Sequence, residues 1–223
     1  MVESPFNFEP ALQPVSSVTS ESGSVSTDWR RHLPVLAGNG VRLRELRMTD
    51  AASLFAMLTA EEVTRFISPP PASVEVFERF IAWTLGQQLR GENLCFAVTL
   101  QGYDTAIGIF QVRRIDADFT TAEWGFALGS PFWGTGIFEE GARLTLNFVF
   151  STLGVHRLEA RAAARNGRGN GALLKMGAVQ EGLLRRSFLR NGEYLDQVMY
   201  SILAEDWMAR EVPVGRTDTV QVH

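Results

Sequence analysis

Cysteine is almost missing from this chain, and histidine nearly so: Cys95 stands alone, with His32, His156 and His223, in 223 residues. A single thiol cannot close a disulfide within the chain and leaves no cysteine-rich metal site. Cys95 lies in the apolar run "LCFAV" and reads as a small buried hydrophobe in a reducing compartment, which suits a cytoplasmic protein. The three histidines show no metal-ligand spacing. No apolar run approaches the roughly 18 residues that a membrane helix needs, so no membrane association is expected. Excess positive charge is missing too: 21 Lys and Arg against 25 Asp and Glu give a formal net charge of −4. Nucleic acid is therefore not an expected partner without a local basic patch. Gly-Lys followed by Ser or Thr occurs nowhere, which excludes a P-loop. "GRGNGA" (residues 167–172) looks like a dinucleotide fingerprint, but its third glycine comes one residue early and no βαβ unit opens the chain.

What is present is one long patterned region. Residues 1–28 are rich in Ser, Pro and Glu, without the basic and apolar segments of a signal peptide, and read as a disordered arm. Residues 211–223 read as a tail, leaving 29–210 as a single domain. Within it "VRLREL" alternates as a half-buried strand does, Asp50 can cap a helix carrying Leu54, Phe55 and Leu58, and Ser73 can cap another with Phe77, Ile81, Thr84 and Leu85 on one face. "CFAVTL" and "AIGIFQVRRI" read as a hairpin across "QGYD", and "TAEWGFALG" as a further strand. Phe138, Ala142, Leu146, Val149 and Leu153 mark a helix that Gly154 can end; "HRLEARAA", the short helix "GALLKMGA" and strands at "LRRSFL" and "VMYSIL" complete the order. The pattern predicts an α/β domain built on one mostly antiparallel sheet.

The stretch "PFWGTGIFEEGARL" (131–144) runs from a strand through Gly134-Thr135-Gly136 into a helix. The first turn of a helix has N–H groups without intrahelical partners, and glycines let a ligand reach them; a phosphate or pyrophosphate matches such a site best. A tight turn with no ligand is the more usual meaning of a lone G-x-G.

Taken in order, "LPVLAGNGVRLRELRMTDAASLF", "AEWGFALGSPFWGTGIFEEGARL", "GVHRLEARAAARN", "ALLKMGAVQEGLLR" and "NGEYLDQVMYSILAEDW" resemble the GCN5-related N-acetyltransferases (GNAT), in particular the RimJ/RimL-type branch. The resemblance runs from about Pro34 to Trp207 and implies a GNAT-like mixed sheet flanked by helices, acetyl-CoA as acetyl donor, and direct transfer to a primary amine such as a protein N-terminus or a small molecule. By this resemblance the backbone amides from Trp133 through Ile137 (Gly134, Thr135 and Gly136 between them) cradle the CoA pyrophosphate. Phe126, Ala127 and Leu128 pair with the pantetheine arm as with an added strand. In the family a bulge splays this strand from the one holding Leu158 and Ala160, freeing an N–H to polarise the thioester. Glu123 aligns with the acidic residue that many relatives use as base, and Asn166 with the asparagine that holds the cofactor arm. Where the branch carries a serine to protonate the departing thiolate this chain has Gly169, so Ser187 is the substitute candidate if its strand lines the same cleft. Loss of that serine keeps a second reading open, a catalytically weak acyl-CoA-binding sensor or partner-binding module. The resemblance fits a monomer or a homodimer.

Overall fold

The computed structural model describes residues 28–211, so the expected arm and tail lie outside the described residues except at Asp28 and Glu211. A short hairpin of β1 (Leu36–Ala37) and β2 (Val41–Glu45) leads into α1 (Ala51–Leu58), α2 (Glu61–Thr64) and α3 (Val74–Leu89). Strands β3 (Asn93–Leu100), β4 (Gly108–Arg114) and β5 (Thr121–Leu128) follow, then α4 (Ile137–Asn147), β6 (Arg157–Ala163) and α5 (Gly167–Lys175). The hairpin of β7 (Val179–Arg190) and β8 (Glu193–Leu203), and α6 (Ala204–Glu211), complete the described chain. All strands join one sheet in the order β1-β2-β3-β4-β5-β6-β8-β7. Every neighbouring pair is antiparallel except β5 with β6. The expected fold class is the one that forms; β1 and α2 are too short to leave a periodic signal in the sequence.

Helix α3 forms as its sequence predicts, whereas Asp50 precedes α1 without capping it, because its carboxylate is taken by Arg44 and the Arg47 N–H. The Ser73 hydroxyl accepts the Val76 N–H at 3.3 Å, and Phe77, Ile81 and Thr84 of α3 are fully buried along one stripe. On the same sheet face, α1 contributes Leu54 and Leu58, and together they cover Cys95, Ala97, Ile109 and Ala127. The opposite face carries Phe96, Phe110, Val112 and Trp124 against Ala142 and Leu146 of α4. Gly141 sets how closely α4 approaches: a Cβ there would stand 2.7 Å from the Phe110 ring. Past Asn147 the helix departs from expectation, because Phe148–Thr152 is a π-helical turn before Gly154 ends it with φ +72°. The wider turn allows Phe148, Val149 and Phe150, consecutive in sequence, all to be buried.

Two registers position the site. β4 and β5 pair without interruption from Gly108↔Leu128 to Arg114↔Ala122. β5 and β6 pair only at Thr121↔Arg157, Ala122↔Leu158 and Glu123↔Glu159, after which they diverge. β6 instead stays with β8 along its whole length, from Arg157↔Leu203 to Ala163↔Gln197. The splay is therefore present, but it corrects the bulge implied by the resemblance, because β5 keeps regular register with β4 throughout.

At the other end of the chain, Asn191 (φ +49°) and Gly192 (φ +80°) make the tight turn of the β7–β8 hairpin. The register shifts between Leu184 and Phe188, so "LRRSFL" is not a continuous strand. Arg186 sits in that bulge with φ +50°, its N–H donating to Asp196 Oδ1 at 2.7 Å.

Near the first strands, Arg44 is 2% exposed and makes a two-pronged contact with Asp50 at 2.8 and 2.7 Å, while its Nε donates to Asp104 at 2.6 Å. Removing the partner of a buried charge costs far more than the pair contributes. Asp50→Ala is therefore expected to lower unfolding stability by about 3 kcal/mol, read as a lower midpoint in urea with an unchanged slope.

Candidate active site

The divergence of β5 and β6 opens a cleft through the middle of the sheet, lined by Glu123 to Phe126 on one side and Arg161 to Ala163 on the other. Side chains alternate along strands. Trp124 and Phe126 therefore turn to the α4 face, where they lie within 4.9 Å of each other and Phe126 within 4.7 Å of Phe138, measured between ring centres. Gln111, Arg113, Glu123, Arg161 and Gln197 share the opposite face, under Trp83 of α3 and the Phe66–Ser68 segment.

The edge of β5 beyond Glu123 has no strand partner, so the backbone groups of Trp124, Phe126 and Leu128 that face away from β4 can pair with an extended ligand laid beside it. Gly125 and Ala127 turn theirs to β4, which corrects the pairing expected of Ala127. The Leu128 carbonyl is the exception, since it accepts Trp133 Nε1–H at 2.8 Å. At the outer end of this edge, Gly134 and Gly136 hold φ values of +74° and +89°, and a Cβ on either would meet nothing within 4 Å. Gly136 is the N-cap of α4, and the first turn closes when Glu140 N–H reaches the Gly136 carbonyl at 3.1 Å. The N–H groups of Ile137, Phe138 and Glu139 thus lack an intrahelical acceptor, at the positive end of the helix dipole. Trp133 differs from expectation: its N–H already donates to the Ser130 carbonyl at 3.1 Å, and its ring carries the Arg168 guanidinium at 4.3 Å. Thr135 places its hydroxyl on the Phe132 carbonyl at 2.7 Å, so it has only its backbone to offer a ligand. Neither early glutamate crowds the helix mouth. Glu140 binds the β1–β2 turn through the Gly40 N–H at 3.0 Å, and Glu139 pairs with Lys175 at 2.8 Å.

Across the cleft, Asn166 caps α5: its Oδ1 accepts the Gly169 N–H at 2.9 Å. "GRGNGA" is the opening of that helix. Asn170 fixes the same corner, donating to the Ala163 carbonyl at 3.0 Å and accepting from the Tyr200 hydroxyl at 3.0 Å. Burial raises the Tyr200 hydroxyl's pKa above the ordinary phenol value.

Glu123 is where the sequence implied, on the cleft wall, but it is not alone. Arg113 stands directly opposite in the β4–β5 register and donates to Glu123 Oε2 at 2.5 Å, and Arg161 approaches Oε1 at 3.6 Å. Among the described residues lining the cleft, Glu123 is the only carboxylate and Ser68 the only hydroxyl. Ser187 does not line it. It lies exposed in the β7 bulge, its hydroxyl 3.0 Å from both the Leu184 carbonyl and Gln197 Oε1, so its condition for serving as acid is not met. Sequence reasoning also missed Arg113, Gln111 and Arg161. Pairing the strands of the β4–β5 hairpin would have placed Arg113 across from Glu123, whereas nothing local to β6 signals which of its arginines reaches the cleft.

Residues 41–179 match the acetyltransferase (GNAT) domain. The chain belongs to the GNAT family. It is 28% identical over 175 residues to the uncharacterized N-acetyltransferase YoaA of Bacillus subtilis, covering 76% of this chain and 97% of that protein. It is 23% identical over 183 residues to the spermidine N(1)-acetyltransferase of Escherichia coli, covering 81% and 95%. Among solved structures, Mycobacterium smegmatis RimJ in complex with CoA-disulfide superposes with a TM-score of 0.68 at 25% identity, covering 77% of this chain and 85% of that one. The chain is accordingly an N-acetyltransferase that uses acetyl-CoA and acts on an amine. The open β5 edge and the empty space above Gly134 and Gly136 fit an extended arm ending in a diphosphate. No helix among the described residues is long and apolar enough to cross a membrane.

Two substitutions test this corner. Gly136→Glu sets a carboxylate at the helix mouth and should weaken CoA binding about a hundredfold or more, while Gly136→Asn, which tolerates the left-handed backbone, should keep most of it; calorimetric titration reads both. A Cβ at Gly169 would lie 2.6 Å from Asn166 Nδ2. Gly169→Ser is therefore expected to displace the cap, cost about 1 kcal/mol of stability and bring no gain in turnover, checked by thermal melting and steady-state rates.

Proposed function

We propose that the cleft between β5 and β6 is the place where the acetyl group passes directly from acetyl-CoA to a primary amine. The observation that carries this reading is the end of β5–β6 pairing at Glu123, which leaves a strand edge and a carboxylate side by side. In this reading the amides from Gly134 through Ile137 hold the diphosphate, and Trp124 and Phe126, whose backbone groups face away from β4, hold the arm by backbone pairing. The Asn166 amide meets the arm where it enters between α4 and α5. The bound thioester supplies an activated acetyl carbon and a thiolate leaving group.

The rest is the work of side chains. An α-amino group has a reference pKa of about 7.7–8.0, so at neutral pH it arrives mostly protonated and must lose that proton to attack. Glu123, the carboxylate lining the cleft, receives it. Its guanidinium partners fix its orientation, Arg113 by a direct hydrogen bond. As the C–N bond forms and the C–S bond breaks, the proton required by the thiolate comes from a group other than Ser187, whose hydroxyl is turned away. Ser68 is the hydroxyl within the cleft. A small-molecule amine and a protein N-terminus both satisfy this chemistry.

Acetyl transfer to a panel of amines, followed by release of free thiol, tests the reading; CoA binding without turnover on any amine would favour the sensor alternative. Glu123→Gln should slow turnover several-fold below about pH 8, where the amine is still protonated, and much less at pH 9 where it is not. A uniform loss at every pH would assign Glu123 to holding the arginines alone.

A further inference from the structure

On the polar wall of the cleft, Arg161 is ion-paired, but no hydrogen bond among the described residues completes its guanidinium. Its Nε–H is buried without a hydrogen-bond partner, and its terminal nitrogens stand 3.6 Å from Glu123 Oε1 and 3.8 Å from Glu159 Oε2. Both distances are too long for hydrogen bonds. Glu123 and Glu159 accept their short hydrogen bonds from Arg113 at 2.5 Å and Arg157 at 3.0 Å, and each leaves Arg161 only a looser ion pair through its second oxygen. A guanidinium whose side chain is 22% exposed, with Nε–H unmatched and its terminal nitrogens only loosely ion-paired, is well placed to take a further oxyanion. Beside it, Gln111 is 6% exposed with Oε1 buried and unpartnered on the same cleft wall. That oxygen can only accept, as an incoming N–H requires.

We infer that the acceptor is an amine that also bears a carboxylate or similar oxyanion within a few bonds of its nitrogen, with the anion held by Arg161 and the amine directed to Gln111 and Glu123. This rests on the acetyl-transfer reading and narrows its substrate class. A polyamine fits the same wall poorly, since its additional positive charges would face two guanidiniums and one already paired carboxylate. The anion can be the α-carboxylate of a free amino acid or an acidic side chain early in a peptide; the chemistry is shared.

Matched acceptors separate these cases. Alanine is compared with alaninamide, peptides beginning Ala-Glu with those beginning Ala-Gln and Ala-Lys, and spermidine is run beside them, with acetyl-CoA and the full chain. At least one carboxylate should exceed its carboxamide partner by about tenfold or more in kcat/KM, and which pair responds identifies the source of the anion. Arg161→Gln should bring that ratio to about twofold or less, chiefly through KM, and Arg161→Lys should keep part of it. CoA titration should be unchanged in both variants, which also shows that they fold. Equal use of carboxylate and carboxamide, preference for spermidine, or a ratio that survives Arg161→Gln would overturn the inference. Should the wild type acetylate none of these amines, the same acceptors titrated into the CoA-saturated protein decide: tighter binding of the carboxylates upholds the anion site while counting against turnover, and equal or absent binding overturns it.

Discussion

The end of hydrogen bonding between β5 and β6 after Glu123↔Glu159 is the constraint on which the rest of this molecule depends. Two strands inside one sheet that stop pairing leave backbone donors and acceptors open on both edges, and such groups are costly to bury unmatched. The protein places that cost where a ligand can remove it. The strands on either side hold the gap open, because β5 is fixed to β4 by unbroken register and β6 to β8 along its full length, so neither can drift to close it.

Around that gap the two faces of the sheet acquire different chemistry. On the α4 face the wall is aromatic, with Phe110, Trp124, Phe126 and Phe138 packed together. Beyond them the wall ends at two glycines and a helix N-terminus. On the other face it is polar, with Gln111, Arg113, Glu123 and Arg161 gathered under α3 and the segment that precedes it. Two chemically different walls thus meet at one opening.

The helix ends hold this arrangement in place. Asn166 and Asn170 join the end of β6 to α5, and Glu139 with Lys175 ties α5 to α4 across the mouth of the cleft. Glu140 anchors the first turn of α4 to the β1–β2 hairpin. The residues that follow Gly136 are therefore used for support, and the glycines themselves are left bare.

The main elements and the Gly134–Gly136 entry to α4 were legible in the chain, because each rests on a local rule, periodic burial, a cap, or backbone that only glycine adopts easily, while Glu123 was marked out by the family resemblance. The π-helical turn, the bulge that turns Ser187 away, and the paired state of Glu123 were not. Asn191-Gly192 announces a hairpin but says nothing of the register shift seven residues earlier. Arg113 and Glu123 are ten positions apart in sequence and Arg161 lies on another strand, so their meeting depends on how three strands are laid side by side. Local pattern was enough to specify the elements and the glycine-lined start of α4, since those follow from forces acting within a few residues. Which charges share the cleft depended on strand order and splay, where long-range pairing alone decides the neighbours.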